Sequence, residues 1–372
     1  MSHLRHLVSS GRLFHLSKVP RVNTAVCCHV SQNRPFGTTD RSMTVMPAWV
    51  IDKYGSRDAL RFTRNANFPV INYPNEVIVR VHSAGLNPLD VRIRDGYGAA
   101  SLSMKRDPLN IKSGSEFPLI LGRDVSGVIM ECGLDVKYFK EWDEVWAAIP
   151  PWKQGSLAEF VVVSANEVSH KPKSMSHTEA AAVPYVASTA WSALVNTGGL
   201  SKDNCAKKRI LIIGGSGGVG TFAIQMLKAW GAHVTVTCSQ NAELFDLILD
   251  NVGGDTERWA LTLLKPWCGA KFVTLVTPFL ENIDMLGIAD GMVQNAATVA
   301  TKVLKHLTKG VHYRWGFFAP SGPALDEIKE MVDAGQIRSV VEDTFGFSEV
   351  PQAFERMEKG HARGKTVVQI RK

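Results

Sequence analysis

From Thr44 onward the chain sets short apolar runs between Pro, Asn and Gly punctuation. MPAWVID and EVIVRVHSAGLN read as strands, and FPLILGRDVSGVIMECG, DEVWAAI and GSLAEFVVVSANEVSHKP continue the pattern. Short runs rich in β-branched and aromatic residues, bounded by turn formers, suit a pleated, half-buried surface. HTEAAAVPYVASTAWSALVNTGGL then reads as helical. KKRILIIGGSGGVGTFAIQMLKAWGAHVTVTCS gives strand, glycine loop, helix, strand. FDLILDNVGG and GAKFVTLVTP have the continuous apolar character of strands buried on both faces, and YRWGFF predicts a last strand of that kind. PALDEIKEMVDAGQI has helical spacing ending at Gly335, FSEVPQAFERMEKG predicts a helix with Ser348 as N-cap, and KTVVQI closes as a strand. There are no internal repeats.

A length of 372 residues suits two domains. No apolar run is long enough to span a membrane, which takes about 18 residues. The six cysteines are scattered, with no metal-type pair, so a reducing or mixed compartment fits. The net charge of +7 raises the question of a nucleic-acid or membrane partner until the charge is located. Met1 to Phe36 carries Arg5, Arg12, Lys18, Arg21 and Arg34 and no acid, which leaves +2 for the remainder. That remainder gives no basic face for nucleic acid. The N-terminal segment is Arg- and Ser-rich and acid-free, as in a mitochondrial presequence, with Arg34 placed for a cut ahead of Gly37. A disordered basic tail is the alternative.

Gly215-x-Gly217-x-x-Gly220 follows the apolar run RILIIG and opens the helix VGTFAIQMLKAW. In that context Gly215, Ser216, Gly217, Gly218, Val219 and Gly220 predict a dinucleotide loop. Glycines permit the turn and the approach of a pyrophosphate, and the helix N-terminus offers it free N–H groups. A purely structural glycine turn is the competing reading. The next strand ends in Cys238-Ser239-Gln240 with no acid to hold the ribose hydroxyls of NAD, and Ser239 can donate to a 2′-phosphate, so NADPH is the expected cofactor. Ligands on such sheets sit beyond the carboxyl ends of the strands. Asn251 and Leu275 are therefore expected near the nicotinamide half, with a plain turn role for Asn251 as the alternative.

Several motifs in order, LNPLDVRIRDGYG, FPLILGRDVSGVI, AAAVPYVASTAW, GGSGGVG and HARGKTVV, resemble the quinone oxidoreductase branch of the medium-chain dehydrogenase/reductases over roughly Met46 to Ile370. The resemblance implies a GroES-like β-rich catalytic domain, a Rossmann domain with a doubly wound parallel sheet, and a C-terminal return to the first domain. The expected boundaries are 1–42 for targeting, 43–185, 186–319 and 320–372. It implies NADPH as hydride donor, a quinone-type or other activated carbonyl acceptor, and a homodimer as a possible assembly. A closer likeness in MPAWVIDKYG, ECGLDVKYFK, VWAAIPPWKQGSL and GVHYRW implies a mitochondrial reductase linked to ubiquinone biosynthesis, with a reticulon as a possible partner. A catalytically silent interaction protein on the same fold is the competing reading. Zinc is not expected, because Gly122-Arg123-Asp124 stands where zinc-using relatives carry Gly-His-Glu. Asn87 and Asp90 match the family's pocket pattern and are the candidate catalytic residues, with a turn cap as the alternative. Arg92 stands where many relatives have a Tyr, and Trp142 where they have a turn glycine. Gly316, Phe318, His361, Ala362 and Arg363 match family segments that approach the cofactor. The segment from Thr277 to Gly310 carries an apolar stripe, Met285, Leu286, Ile288 and Met292, which suits either a lid over a lipid-like tail or a packing or dimer-contact helix pair.

One stretch breaks the pattern. Only six residues separate Ser239 from Asp246. Parallel strands need a crossover of about a dozen or more residues. Six extended residues reach about 20 Å. That barely spans two strand spacings of about 10 Å combined with the return along a strand of roughly 17 Å. The third-strand region of the Rossmann sheet is therefore expected to be missing, with a weakened adenosine pocket and lower NADPH affinity.

Overall fold

The computed structural model describes residues 44–106, 116–236, 244–360 and 362–371. The targeting segment, Ser239 and His361 lie outside the described residues. The chain begins with β1 (Val45–Ile51), β2 (Leu60–Asn67) and β3 (Glu76–Leu86), then turns into two short helices, α1 (Pro88–Arg94) and α2 (Ala99–Lys105). β4 (Leu119–Ile120), β5 (Asp124–Cys132), β6 (Glu144–Ala148), β7 (Phe160–Ser164) and β8 (Val168–His170) follow. β3 has almost no polar face because it is central: it pairs antiparallel with both β5 and β7. β1, β2 and β4 form a smaller sheet beside it.

Helices α3 (His177–Ala180), α4 (Pro184–Trp191) and α5 (Lys202–Cys205) lead to the second architecture. β9 (Arg209–Ile213), α6 (Gly218–Ala229) and β10 (His233–Val236) form the first β-α-β unit. β11 (Leu247–Asp250), α7 (Asp255–Ala260), β12 (Lys271–Thr274), α8 (Phe279–Leu286), α9 (Ile288–Leu307) and β13 (His312–Trp315) complete the sheet. α6 buries Phe222, Ala223, Met226 and Leu227, a stripe at helical spacing turned onto the sheet. All pairings are parallel, in the order β10-β9-β11-β12-β13.

In the doubly wound order 3-2-1-4-5-6, β10 is the second strand, and it lies at the edge. The third strand is missing from the described residues. Seven residues link Val236 to Leu244, and Asp246 N–H already bonds the carbonyl of Arg209 at the opposite end of the sheet.

The chain then returns. α10 (Gly322–Asp333) packs on β8 and α4, and β14 (Val341–Gly346), α11 (Val350–Glu358) and β15 (Lys365–Gln369) join the first sheet through β15 on β3. Two local expectations can be checked directly. Ser348 does not cap α11. It sits in a tight turn, Phe347–Glu349, and Glu349 holds the N-cap position while its carboxylate accepts the N–H of Gly346 at 2.7 Å. Trp142 adopts the left-handed conformation that favours glycine, at φ 74°.

Candidate active site

β9 delivers the chain into a turn at Gly214, whose φ of 78° favours glycine. Gly215, Ser216 and Gly217 follow, and Gly217 is the N-cap of α6. A Cβ at Gly220 would stand 2.3 Å from the carbonyl oxygen of Gly214, so only glycine lets the first turn of α6 pack on the loop. A Cβ at Gly217 would meet nothing within 4 Å, which leaves an open cradle above the N–H groups of Gly218, Val219 and Gly220.

The carboxyl ends of the neighbouring strands converge beside this loop. Asp250, given no role by the sequence motifs above, organises them. It is fully buried, with one carboxylate oxygen accepting the N–H groups of Val252 (3.0 Å) and Gly253 (2.9 Å) and the other the Thr274 hydroxyl (3.0 Å). An acid at a strand end followed by Asn-Val-Gly-Gly was the available signal. Asn251 donates to the carbonyl of Ile213 at 2.9 Å, while its own Oδ1 is buried without a partner. That orphaned acceptor, beside an open glycine cradle, fits a bound dinucleotide. Leu275 and Gly316 lie side by side, as a Cβ on Gly316 would be 3.0 Å from Leu275 Cδ2. The structure thus brings Gly215 to Gly220, Asn251, Leu275, Gly316 and Phe318 to one edge. Arg363 and Ala362 are on the loop before β15. The Arg363 N–H bonds Glu342 at 2.8 Å, and two residues on, the Lys365 stem passes within 3.1 Å of a Cβ built on Gly218.

Between the two architectures lies a cleft of about 800 Å³. Tyr97, Met104 and Trp152 line it from the catalytic side, Tyr185 and Thr189 from α4, and Leu275, Phe279, Ile283, Met292 and Phe318 from the nucleotide side. Tyr185 stacks on Phe318 with centroids 4.3 Å apart and planes 15° apart. Burial pushes the Tyr185 phenol well above its ordinary pKa, and Asp90 and Asp124 add to the effect. α8 crosses the mouth and is tied to the catalytic side. The Asp284 carboxylate accepts the N–H groups of Gly98 (2.6 Å) and Ala100 (3.1 Å), capping α2, and Glu281 pairs with Arg92, which lies 3.6 Å over the Tyr97 ring. The segment forms two helices, and α8 and α9 supply Ile283, Ile288 and Met292 to the cleft wall.

Beneath the cleft is a buried polar cluster. Asn87 and Asp90 belong to it and neither lines the cleft. Asp90 is fully buried and accepts the N–H groups of Asn87 (2.9 Å) and Gly122 (2.7 Å), with Arg123 Nε at 3.4 Å. Burial raises the Asp90 carboxyl pKa, opposed by the Arg123 charge. The Asn87 amide donates to Asp124 at 2.9 Å and its oxygen accepts from Lys365 at 2.5 Å. Lys365 also reaches Asp124 at 2.9 Å, and the second Asp124 oxygen accepts the N–H of Tyr185 at 2.5 Å. Two acids and two cations thus neutralise each other, and their geometry makes Asn87 and Asp90 framework residues that hold α1 and α4. At the position of the zinc-type histidine, Arg123 donates to the carbonyls of Ile120, Pro150 and Lys153. Among the described residues no group of three His, Cys, Asp or Glu side chains is arranged to hold a metal.

The comparisons with known proteins agree with this geometry. Residues 73–173 match the alcohol dehydrogenase GroES-like domain and residues 231–368 the family described as zinc-binding dehydrogenase. The mitochondrial NAD(P)H oxidoreductase RTN4IP1 of Danio rerio is 69% identical over 373 aligned positions, covering 93% of this chain and 96% of that protein. The chain belongs to this RTN4IP1 family of medium-chain dehydrogenase/reductases. It is an NAD(P)H oxidoreductase-type, mitochondrial member. The family extends to the Caenorhabditis elegans protein named reticulon-4-interacting protein 1, mitochondrial, at 34% identity over 90% of this chain and 97% of that one. Among solved structures, the quinone oxidoreductase of Coxiella burnetii superposes with a TM-score of 0.69 at 25% identity, over 88% of this chain and 100% of that one.

Proposed function

We propose that the protein is an NADPH-dependent, zinc-independent reductase of quinone-type acceptors in mitochondria, placed in ubiquinone biosynthesis. The observation that carries this reading is the aromatic and aliphatic cleft opening against Leu275, Gly316 and Phe318. A planar, electron-poor ring seats between such walls, and an apolar tail extends along Ile283, Ile288 and Met292 under α8. The nicotinamide, when bound, supplies the hydride. The chain's own residues orient the two partners and keep water away from the transfer. The glycine loop would hold the pyrophosphate, Asn251 and Leu275 the nicotinamide half, Ser239 the 2′-phosphate, and Arg363 would add charge beside the phosphates. A quinone needs no Lewis acid, since the hydride adds to an already electron-poor ring. Arg123, engaged with three carbonyls, leaves no zinc-type ligand at its position. The test is oxidation of NADPH and of NADH by quinones of increasing side-chain length. Preference for NADPH and for tailed quinones is the expected result, and turnover with short polar aldehydes alone would reject it.

The bare β10 edge supports a second reading, in which this chain binds partners, a reticulon among them, and turns over weakly. Retained reticulon binding with no NADPH oxidation by any acceptor would select it. Association into a homodimer belongs to either reading and is checked by analytical ultracentrifugation.

A further inference from the structure

The reductase reading leaves a chemical gap, because an acceptor that has taken a hydride carries an oxyanion and needs a proton. The cleft walls offer few groups able to give one. Thr189 spends its hydroxyl on the Tyr185 carbonyl at 2.7 Å, and Tyr97 is engaged by Arg92, which lies over its ring. Lys105 lies over the Trp152 face at 5.1 Å. The Tyr185 hydroxyl has no hydrogen-bond partner among the described residues. Its ring is nonetheless held in place, by the stack on Phe318 on one side and by the Asp124 bond to its N–H on the other. Phe318 itself belongs to the stretch beside the expected nicotinamide position.

We infer that Tyr185 is the proton donor of the reaction, giving its phenolic proton to the oxygen of the acceptor after hydride transfer. The inference rests on the reductase reading of the same cleft. In the step the Tyr185 O–H bond breaks and an O–H bond forms on the acceptor oxyanion. The phenolate recovers its proton from water. One hydride from the cofactor and one proton from solvent therefore account for the reduced acceptor, and no other reactant is required. The phenol suits the task because it is fully protonated at neutral pH. Burial and the nearby Asp90 and Asp124 keep the phenol protonated until an acceptor oxyanion is formed, with the Arg123 charge a smaller opposing influence. The sequence departs from the family by placing Arg92 where relatives carry a Tyr, and Tyr185 restores a phenol to the cleft from α4 instead of α1.

The test is Tyr185→Phe in the mature chain, with 9,10-phenanthrenequinone as acceptor. Phenylalanine keeps the stack on Phe318 and removes only the hydroxyl. The expected result is a fall in kcat of about 10²-fold, the scale of a lost general acid. KM and the NADPH dissociation constant should stay within about twofold, which separates loss of chemistry from loss of binding. A fluorinated tyrosine incorporated at position 185 gives an independent reading, since its more acidic phenol should raise kcat at neutral pH, where both phenols stay protonated. A purely structural residue would leave kcat unchanged. A Tyr185→Phe enzyme with wild-type kcat, or a kcat that ignores fluorination, overturns the assignment and leaves the reductase reading standing. A wild-type chain that oxidises NADPH with no quinone or enone overturns both.

Discussion

At one edge of the parallel sheet, β13 is backed by the twenty-residue α9, whose Lys302 bonds Glu257 at 2.8 Å and the Tyr313 hydroxyl at 3.1 Å. At the other edge, β10 has four residues with no fully buried side chain, and Val236 is 37% exposed. On the reading proposed above, the two edges serve opposite halves of one cofactor groove. On the β13 side lie Leu275, Gly316 and Phe318, and behind them the buried cluster of the catalytic sheet. On the β10 side lie the residues expected to meet adenosine. The difference separates two jobs that the intact sheet would perform together: shaping the reaction site, and anchoring the cofactor's far end. The first is built from contacts between the two architectures and survives a shortened sheet. The second depends on the neighbour that β10 lacks.

The comparison can be broken at its strongest point first. Lys365→Met removes the cation from the fully buried Asp124 carboxylate and should destabilise the fold by about 3–5 kcal/mol, read by urea denaturation. A loss below about 1 kcal/mol would mean the catalytic half does not rest on this cluster. Gly220→Ala comes next. Its Cβ meets the Gly214 carbonyl at 2.3 Å, so the loop must shift, and NADPH binding should weaken by about 1–3 kcal/mol in a fluorescence titration. Grafting the missing segment from an RTN4IP1 relative between Ser239 and Leu244 should tighten NADPH about tenfold, or about 1.4 kcal/mol. Unchanged affinity would show that the bare edge is harmless. Asp284→Ala should have the smallest effect, about 1 kcal/mol, as for a lost helix cap. It should appear as faster amide exchange in α2 and a raised KM for tailed acceptors, with NADPH binding untouched.

Much of this was legible in the chain. The glycine loop was readable because a strand precedes it and a helix follows it, and Gly214 and Gly220 each have a steric reason. The missing strand was readable from chain length alone, since a crossover has a minimum reach. The Trp142 turn was readable because a bulky residue stood at a glycine position. The pattern that singled out Asn87 and Asp90 did not say which way their side chains face. Their burial depends on Arg123, in the bend before β5, and Lys365, at the start of β15, both distant in the chain. The same holds for Tyr185, whose place in the cleft is set by Phe318, 133 positions later in the chain. Asp250 carried a local signal, whereas α1 and α2 are too short to show a helical period. The Ser348 cap failed because a tight turn, stabilised by Glu349, consumed the residues that would have begun the helix.

The ties at the mouth of the cleft have a kinetic consequence. Asp284 and Glu281 come from one architecture, while Gly98, Ala100 and Arg92 come from the other. Every widening of the entrance therefore breaks charged contacts near solvent, where dissolved ions compete. Product escape, often the slow event in enzymes with a closing element, acquires an electrostatic barrier that salt lowers. Moderate salt should thus speed each turnover while loosening the grip on small acceptors, so the rate and the selectivity of this enzyme are set against each other by the ionic strength around it.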